Sequence, residues 1–261
     1  MYGVRVGLRR KRAKFSQVFL TDQNVARKEA SFGKHMNVLE FGTGGGILTR
    51  ELCKVAEHVT SIELDKDLFM KASSRLDFQN LNLINADFFS PGHEEYKAEM
   101  LISNIPYCFS RETVLWLSEH RIPAVLCVQE EFAQKMVANP ATRDYTHISV
   151  ISQLLFKIKF VMRVPKNRFR PTPKVDSVVV YMEPKGNGLD KSVVRAISAI
   201  MEHKKNKLKK AVVYAAKELR IPKEDVGRLD VRLADRRVSE LKPEEILCAV
   251  IEVLNNPNKI Q

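Results

Sequence analysis

Between Asn37 and Gln129 the chain alternates short apolar runs with stretches whose apolar residues recur at helical spacing. Asn37–Phe41, His58–Glu63, Leu81–Asn85, Met100–Asn104 and Ala124–Gln129 have the length and apolar content of buried strands. Between them, helical spacing predicts helices over Ile47–Leu52, from near Lys66, and over Glu112–Glu119. Ahead of them, Thr21–Asn24 supplies capping residues for a helix running to about Ser31. Strand and helix in regular succession predict an α/β, doubly wound sheet with helices on both faces. Further on, Glu130–Ala138 and His147–Phe156 read as amphipathic helices, while Ile158–Val164 and Ser177–Met182 read as strands. Beyond Pro184–Gly188 the pattern becomes helical over Lys191–Met201, Lys207–Leu219 and Glu244–Leu254. The expected organisation is an arm over 1–20, an α/β domain over 21–184 and a helical domain over 185–261.

Charge sharpens that division. The 261 residues carry a formal net charge of +12, and it is concentrated at the two ends. Residues 1–20 hold six basic side chains and no acid; from Lys185 onward 17 basic face 11 acidic residues; the middle holds 20 of each. His203–Lys210 alone contains five lysines in eight positions. Basic ends flanking a neutral domain suit a polyanion held beside a pocket, although a solvated tail and a soluble helical surface would have the same composition. Cys53, Cys108, Cys127 and Cys248 form no C-x-x-C pair and the histidines no H-x-x-x-H pair, so neither a metal site nor a disulfide framework is indicated. No apolar run has the length of a membrane span or a signal sequence, which makes a cytoplasmic protein without membrane contact the expectation.

Candidate chemistry gathers at the carboxyl ends of the strands. The first strand enters Gly42-Thr43-Gly44-Gly45-Gly46 and then a helix; glycines there let a ligand approach the backbone. The spacing fails the dinucleotide fingerprint, whose last glycine would occupy Ile47, and this disfavours a nicotinamide dehydrogenase. Glu63 ends the next strand, where a carboxylate can accept both hydroxyls of a ribose or can serve the following helix as an N-terminal acid. Asp87, after the third strand, can accept from an adenine amino group or cap a turn.

Ser103-Asn104-Ile105-Pro106-Tyr107 follows the fourth strand. Asn104 offers an amide oxygen, Pro106 extends Ile105 so that its carbonyl projects, and Tyr107 adds a flat ring. Two acceptors and a stacking face suit an exocyclic amine on a planar base, though an Asn-x-Pro turn with a half-buried Tyr would read the same way. In the proline-rich loop 165–176, Phe169 stands between Arg168 and Arg170, an arrangement that suits an unstacked base with its phosphates or simply a solvated loop with one anchored ring.

The order of these motifs is more specific than any one of them. F-S-Q-V-F-L at 15–20, L-E-F-G-T-G-G-G-I-L-T at 39–49, I-E-L-D at 62–65, N-I-P-Y at 104–107, V-Q-E-E at 128–131 and F-R-P-T-P-K-V-D-S at 169–177 resemble the ribosomal RNA adenine N6,N6-dimethyltransferases over nearly the whole chain. The loop at 169–177 and the basic C-terminal part are most similar to the small-subunit branch, the KsgA type. The resemblance implies a Rossmann-like class I methyltransferase sheet of seven strands, the last antiparallel, with a small C-terminal helical domain. It implies S-adenosylmethionine as cofactor, with Val18 and Leu20 near its methionine end, Gly42 and Gly44 beneath it, Glu63 on ribose, Asp87 on adenine, and Asn104 among the cofactor-binding residues. Asn104 and the Ile105 carbonyl would orient the N6 amine, with Pro106 shaping the turn and Tyr107 and Phe169 stacking on the extruded adenine. The implied partner of this monomer is small-subunit ribosomal RNA or an immature small ribosomal subunit; a large-subunit enzyme, or a non-catalytic assembly or transcription factor on the same fold, is the alternative. Val18, Cys108, Glu130 and Thr146 depart from the residues usual in the family.

Overall fold

The computed structural model describes residues 17–90, 97–186, 188–220 and 229–254. These fall into two compact units, one formed by the chain up to 133 together with 158–184, the other by 134–157 with the chain from 185 onward.

The first unit is organised on a seven-stranded sheet. In chain order its strands are β2 (Asn37–Phe41), β3 (His58–Glu63), β4 (Leu81–Asn85), β5 (Met100–Ser103), β6 (Ala124–Gln129), β7 (Phe156–Val164) and β9 (Ser177–Pro184), and across the sheet they run β4-β3-β2-β5-β6-β9-β7. Pairs β4–β3, β3–β2, β2–β5 and β5–β6 are parallel. The last strand, β9, lies antiparallel to β6 with Ala124 opposite Met182 and Gln129 opposite Ser177. Leu39, Val59, Ile62, Leu101, Ile102, Val125 and Leu126 are 0–1% exposed, as continuous apolar strands buried on both faces require.

Helices α1 (Gln23–Ala30), α2 (Ile47–Cys53), α3 (Lys66–Ser73) and α4 (Ser110–His120) connect the strands, and α5 (Glu130–Met136) follows β6 directly. Asp22 caps α1 by accepting the Asn24 N–H at 2.8 Å and the Val25 N–H at 3.3 Å, and Asp65 does the same for α3. A separate two-stranded ribbon pairs β1 (Phe19–Leu20) with β8 (Phe169–Arg170), placing Leu20 opposite Phe169. The arm expected over 1–20 lies outside the described residues as far as 16.

In the second unit, α6 (His147–Leu155) packs with α7 (Lys191–Glu202) and α10 (Pro243–Leu254), while α8 (Leu208–Leu219) packs on α7 and touches the short α9 (Val231–Ala234). Residues 134–157, which sequence pattern grouped with the sheet, belong here. Ile148, Val150, Ile151 and Leu155 are buried, and Tyr145, fully buried, donates from its hydroxyl to the Leu241 carbonyl at 2.9 Å. Apolar periodicity showed that this helix has a buried face but not which helices cover it.

Candidate methyl-transfer site

The carboxyl ends of β2, β3 and β5 open into a cleft of about 700 Å³, counted to its open mouth. Its polar lining includes Glu40, Glu63 and Asn104, set among Val18, Phe19, Leu20, Leu48, Leu64, Leu68 and Phe109. A largely apolar wall with a few convergent polar groups is the usual composition of a small-molecule site.

Its floor is the turn after β2. Gly42, Gly44 and Gly46 have φ of 82°, 53° and 77°, a region that L side chains enter at a cost. A Cβ on Gly44 would also come within 3.0 Å of the Phe19 ring. The turn is tied to β3: the Gly42 N–H donates to the Ile62 carbonyl at 2.8 Å, and the Gly44 N–H donates to Glu63 Oε2 at 2.9 Å. Glu63 Oε1 accepts the Asp65 N–H at 2.8 Å. The carboxylate is thus fixed at the mouth of the turn with lone pairs to spare. Burial raises its pKa, opposed by the Asp65 and Gly44 N–H groups.

Beneath the turn lies Glu40, to which sequence reasoning gave no role. It is 1% exposed and accepts hydroxyl protons from Thr49 at 2.7 Å and Ser61 at 2.6 Å; the Ser61 and Thr43 hydroxyls also lie 2.6 Å apart. Burial pushes the Glu40 carboxyl up to about 8, against the lowering effect of the Ser61 and Thr49 hydroxyls. The available signal was a charged residue inside an apolar strand.

On the far side stands the turn after β5. Pro106 lines the cleft and Ile105 is buried at 2% exposure. Asn104 donates from Nδ2 to Glu29 Oε2 at 3.1 Å, while its Oδ1 is buried and accepts no hydrogen bond from the described residues. Tyr107 lies outside the cleft lining, and its hydroxyl is 2.6 Å from that of Ser177 on β9. Burial pushes the phenol up to about 12, so it stays protonated through the neutral range.

Two expected contacts are arranged differently. Asp87 is buried but does not line the cleft, and its Oδ1 accepts the Phe89 N–H at 3.0 Å. Phe169, expected to present its ring from a basic loop, is 2% exposed and packs in the core with Leu20, Val25 and Ile102. Ribbon pairing turns the ring inward, since neighbours on a strand face opposite ways and Arg170 takes the outer side. Arg168 is engaged too, pairing with Asp22 at 2.9 Å while its carbonyl accepts the Thr21 N–H at 2.8 Å.

The charged run of the second unit is partly committed as well. Lys204 Nζ donates to the carbonyls of Tyr145 at 2.5 Å and Arg143 at 3.0 Å. Lys207 and Lys209 share Asp235 at 3.0 and 2.8 Å, and Lys210 lies 5.7 Å from the centre of the Tyr214 ring. Cys53 and Cys127 are buried, Cys108 is half-buried and Cys248 exposed. Among the described residues there is no cluster that could hold a metal and no helix long and apolar enough to cross a membrane.

The sheet order, its antiparallel β9 and a cleft above the glycine turn define a Rossmann-like class I methyltransferase, an enzyme that uses S-adenosylmethionine. The cleft suits that donor: the bare Gly44 backbone and a fixed carboxylate converge in an otherwise apolar space. A family model described as ribosomal RNA adenine dimethylase matches residues 8–245, and the chain belongs to that family. It is 33% identical to the probable ribosomal RNA small subunit methyltransferase A of Methanothermobacter thermautotrophicus, over 94% of this chain and 90% of the relative. With the protein of the same description from Pyrococcus furiosus it shares 34% identity, over 90% and 89% of the two chains. The crystal structure of a dimethyladenosine transferase from Plasmodium falciparum has the same fold, with a TM-score of 0.73 at 24% identity over 90% of this chain and 96% of that one.

Proposed function

We propose that this chain transfers methyl groups from S-adenosylmethionine to N6 of adenosines in small-subunit ribosomal RNA, dimethylating two adjacent ones on an immature subunit, and that it acts as a cytoplasmic monomer. The observation that carries the assignment of the site is Asn104 Oδ1, a buried acceptor without a partner among the described residues, at the rim of the cleft. Leaving such a group unpaired costs about 1–3 kcal/mol, and an incoming amine hydrogen would satisfy it. Asn104 Oδ1 takes one N6 hydrogen and the Ile105 carbonyl the other. With both hydrogens held, the nitrogen lone pair is drawn out of conjugation with the ring and aimed into the cleft.

Glu63 holds the ribose hydroxyls, the Gly42–Gly44 backbone passes beneath the cofactor, and Val18 and Leu20 close its methionine end. Asp87, which lies outside the cleft lining and accepts the Phe89 N–H, is assigned to the cofactor adenine on the family resemblance alone. Bound there, S-adenosylmethionine supplies an electrophilic methyl group that needs no metal. Tyr107 supplies the stacking face, its ring held by the hydroxyl contact to Ser177. Phe169 acts from within the core, holding β1 through its pairing with Leu20. The basic arm and the helical domain hold the RNA while the target base leaves its stack, at a cost of a few kcal/mol.

Asn104→Ala tests this reading against the binding-factor alternative. Binding of S-adenosylmethionine and of the immature subunit should persist, while methyl transfer falls about a hundredfold, the effect of misplacing a reacting atom by about 1 Å. The assay follows radiolabel into N6-methylated adenosine. Wild type that binds both partners yet transfers nothing would make the protein a binding factor.

A further inference from the structure

We propose that Glu29 is the positioning residue that turns the Asn104 side chain so that its oxygen, and not its amino group, faces the incoming base. Glu29 sits on α1 at 1% exposure, with Oε2 3.1 Å from Asn104 Nδ2. Its other oxygen, Oε1, and Asn104 Oδ1 are both buried without a hydrogen-bond partner among the described residues. The two ends of a side-chain amide are nearly equal in size, so packing cannot choose between its two orientations; the hydrogen-bond partner does. An acceptor behind Asn104 selects the orientation with nitrogen toward Glu29, which leaves the oxygen on the side away from it. Without that acceptor the amide can turn, and an amino group facing the substrate amine would set donor against donor.

Glu29 is a poor choice for stability. Among the described residues no ion pair offsets its burial, and its carboxyl is raised to about 8, chiefly by desolvation. The Cys127 thiol on β6 is raised as well, by its own burial and then by the Glu29 charge. An apolar side chain of similar size would serve the core better. A costly buried carboxyl whose oxygen accepts from the residue that must orient the substrate is accounted for by that orientation.

The inference rests on the methyl-transfer reading, and the test separates the two. Glu29→Leu and Glu29→Gln are compared with wild type on immature small subunits using radiolabelled S-adenosylmethionine. Leu removes the acceptor; Gln keeps an oxygen in the same place. Glu29→Leu should lower kcat about tenfold or more with KM for both substrates unchanged, while its melting temperature holds or rises. Glu29→Gln should remain within about threefold of wild type. Wild-type kcat in Glu29→Leu overturns the inference, as does an equal loss in both variants that tracks a lowered melting temperature. Nitrogen-15 NMR of the Asn104 side chain gives a readout independent of activity: its amide protons should be protected from exchange in wild type and lose protection in Glu29→Leu. Equal exchange in the two proteins overturns the inference even if wild type transfers no methyl group, an outcome that by itself would sink the functional reading instead.

Discussion

Removing the Glu63 carboxylate should weaken S-adenosylmethionine binding far more than it weakens the fold. Both oxygens are committed on their inner side, Oε2 to the Gly44 N–H at 2.9 Å and Oε1 to the Asp65 N–H at 2.8 Å, in a residue only 5% exposed. Glu63→Ala leaves those two N–H groups without their acceptor, a loss opposed by relief of the carboxylate's burial. For the ligand nothing offsets the change. Losing a pair of charge-assisted hydrogen bonds to the ribose hydroxyls should cost about 1.5–3 kcal/mol, which raises Kd roughly ten- to a hundredfold. Glu63→Gln should fall in the same range, because its amino group must face a backbone donor or the ribose. Calorimetric titration of S-adenosylmethionine into each variant, with a melting curve to show that it is folded, measures the effect. A folded Glu63→Ala protein whose Kd lies within about twofold of wild type would show that Glu63 is not the ribose ligand, because no charge-assisted pair is that weak.

Two buried carboxyls should make stability fall as pH rises between about 4.5 and 8. Glu29 and Glu40 have pKa values raised from the ordinary 4.5 to about 8 by burial. At these two sites the folded protein holds protons that the unfolded chain has released, so their contribution to stability is fully present below about 4.5 and is lost as pH rises toward about 8. Urea denaturation across that range should show the decline, flattened in Glu29→Leu; a flat or rising wild-type curve would contradict it. The lysine run should separate into two kinds of residue. Lys204→Ala removes charge-assisted bonds to two carbonyls and should lower stability by about 1.5–3 kcal/mol. Lys205→Ala with Lys210→Ala should leave the melting temperature in place and reduce the slope of RNA affinity against salt by about one unit for each phosphate left without its lysine. An unchanged slope would assign both lysines to solubility.

The sequence by itself determined the strands, the glycine turn and the chain order of the candidate residues. Each depends on neighbours in the chain: an apolar run such as Met100–Ile102 must be buried, and the glycines at 42, 44 and 46 permit a turn at positive φ whatever surrounds them. It also showed that Glu63 and Asn104 would stand at strand ends, and hence on one side of a parallel sheet.

What it could not determine was the partner of each side chain across long sequence separations. Phe169 between two arginines reads as exposed, but pairing with Leu20 turns it into the core. Lys204 reads as part of a charge run, but the carbonyl that claims it is 59 residues away. Glu29, in the polar run Arg27-Lys28-Glu29, gives no sign of burial. Only the packing of α1 in the sheet unit brings its carboxyl to Asn104, 75 residues on. Local pattern fixes which segments become helix or strand because those hydrogen bonds and burial periods are local. Burial of a charge and the facing of an amide are set by whichever element closes over them, and that is decided only when the chain is folded.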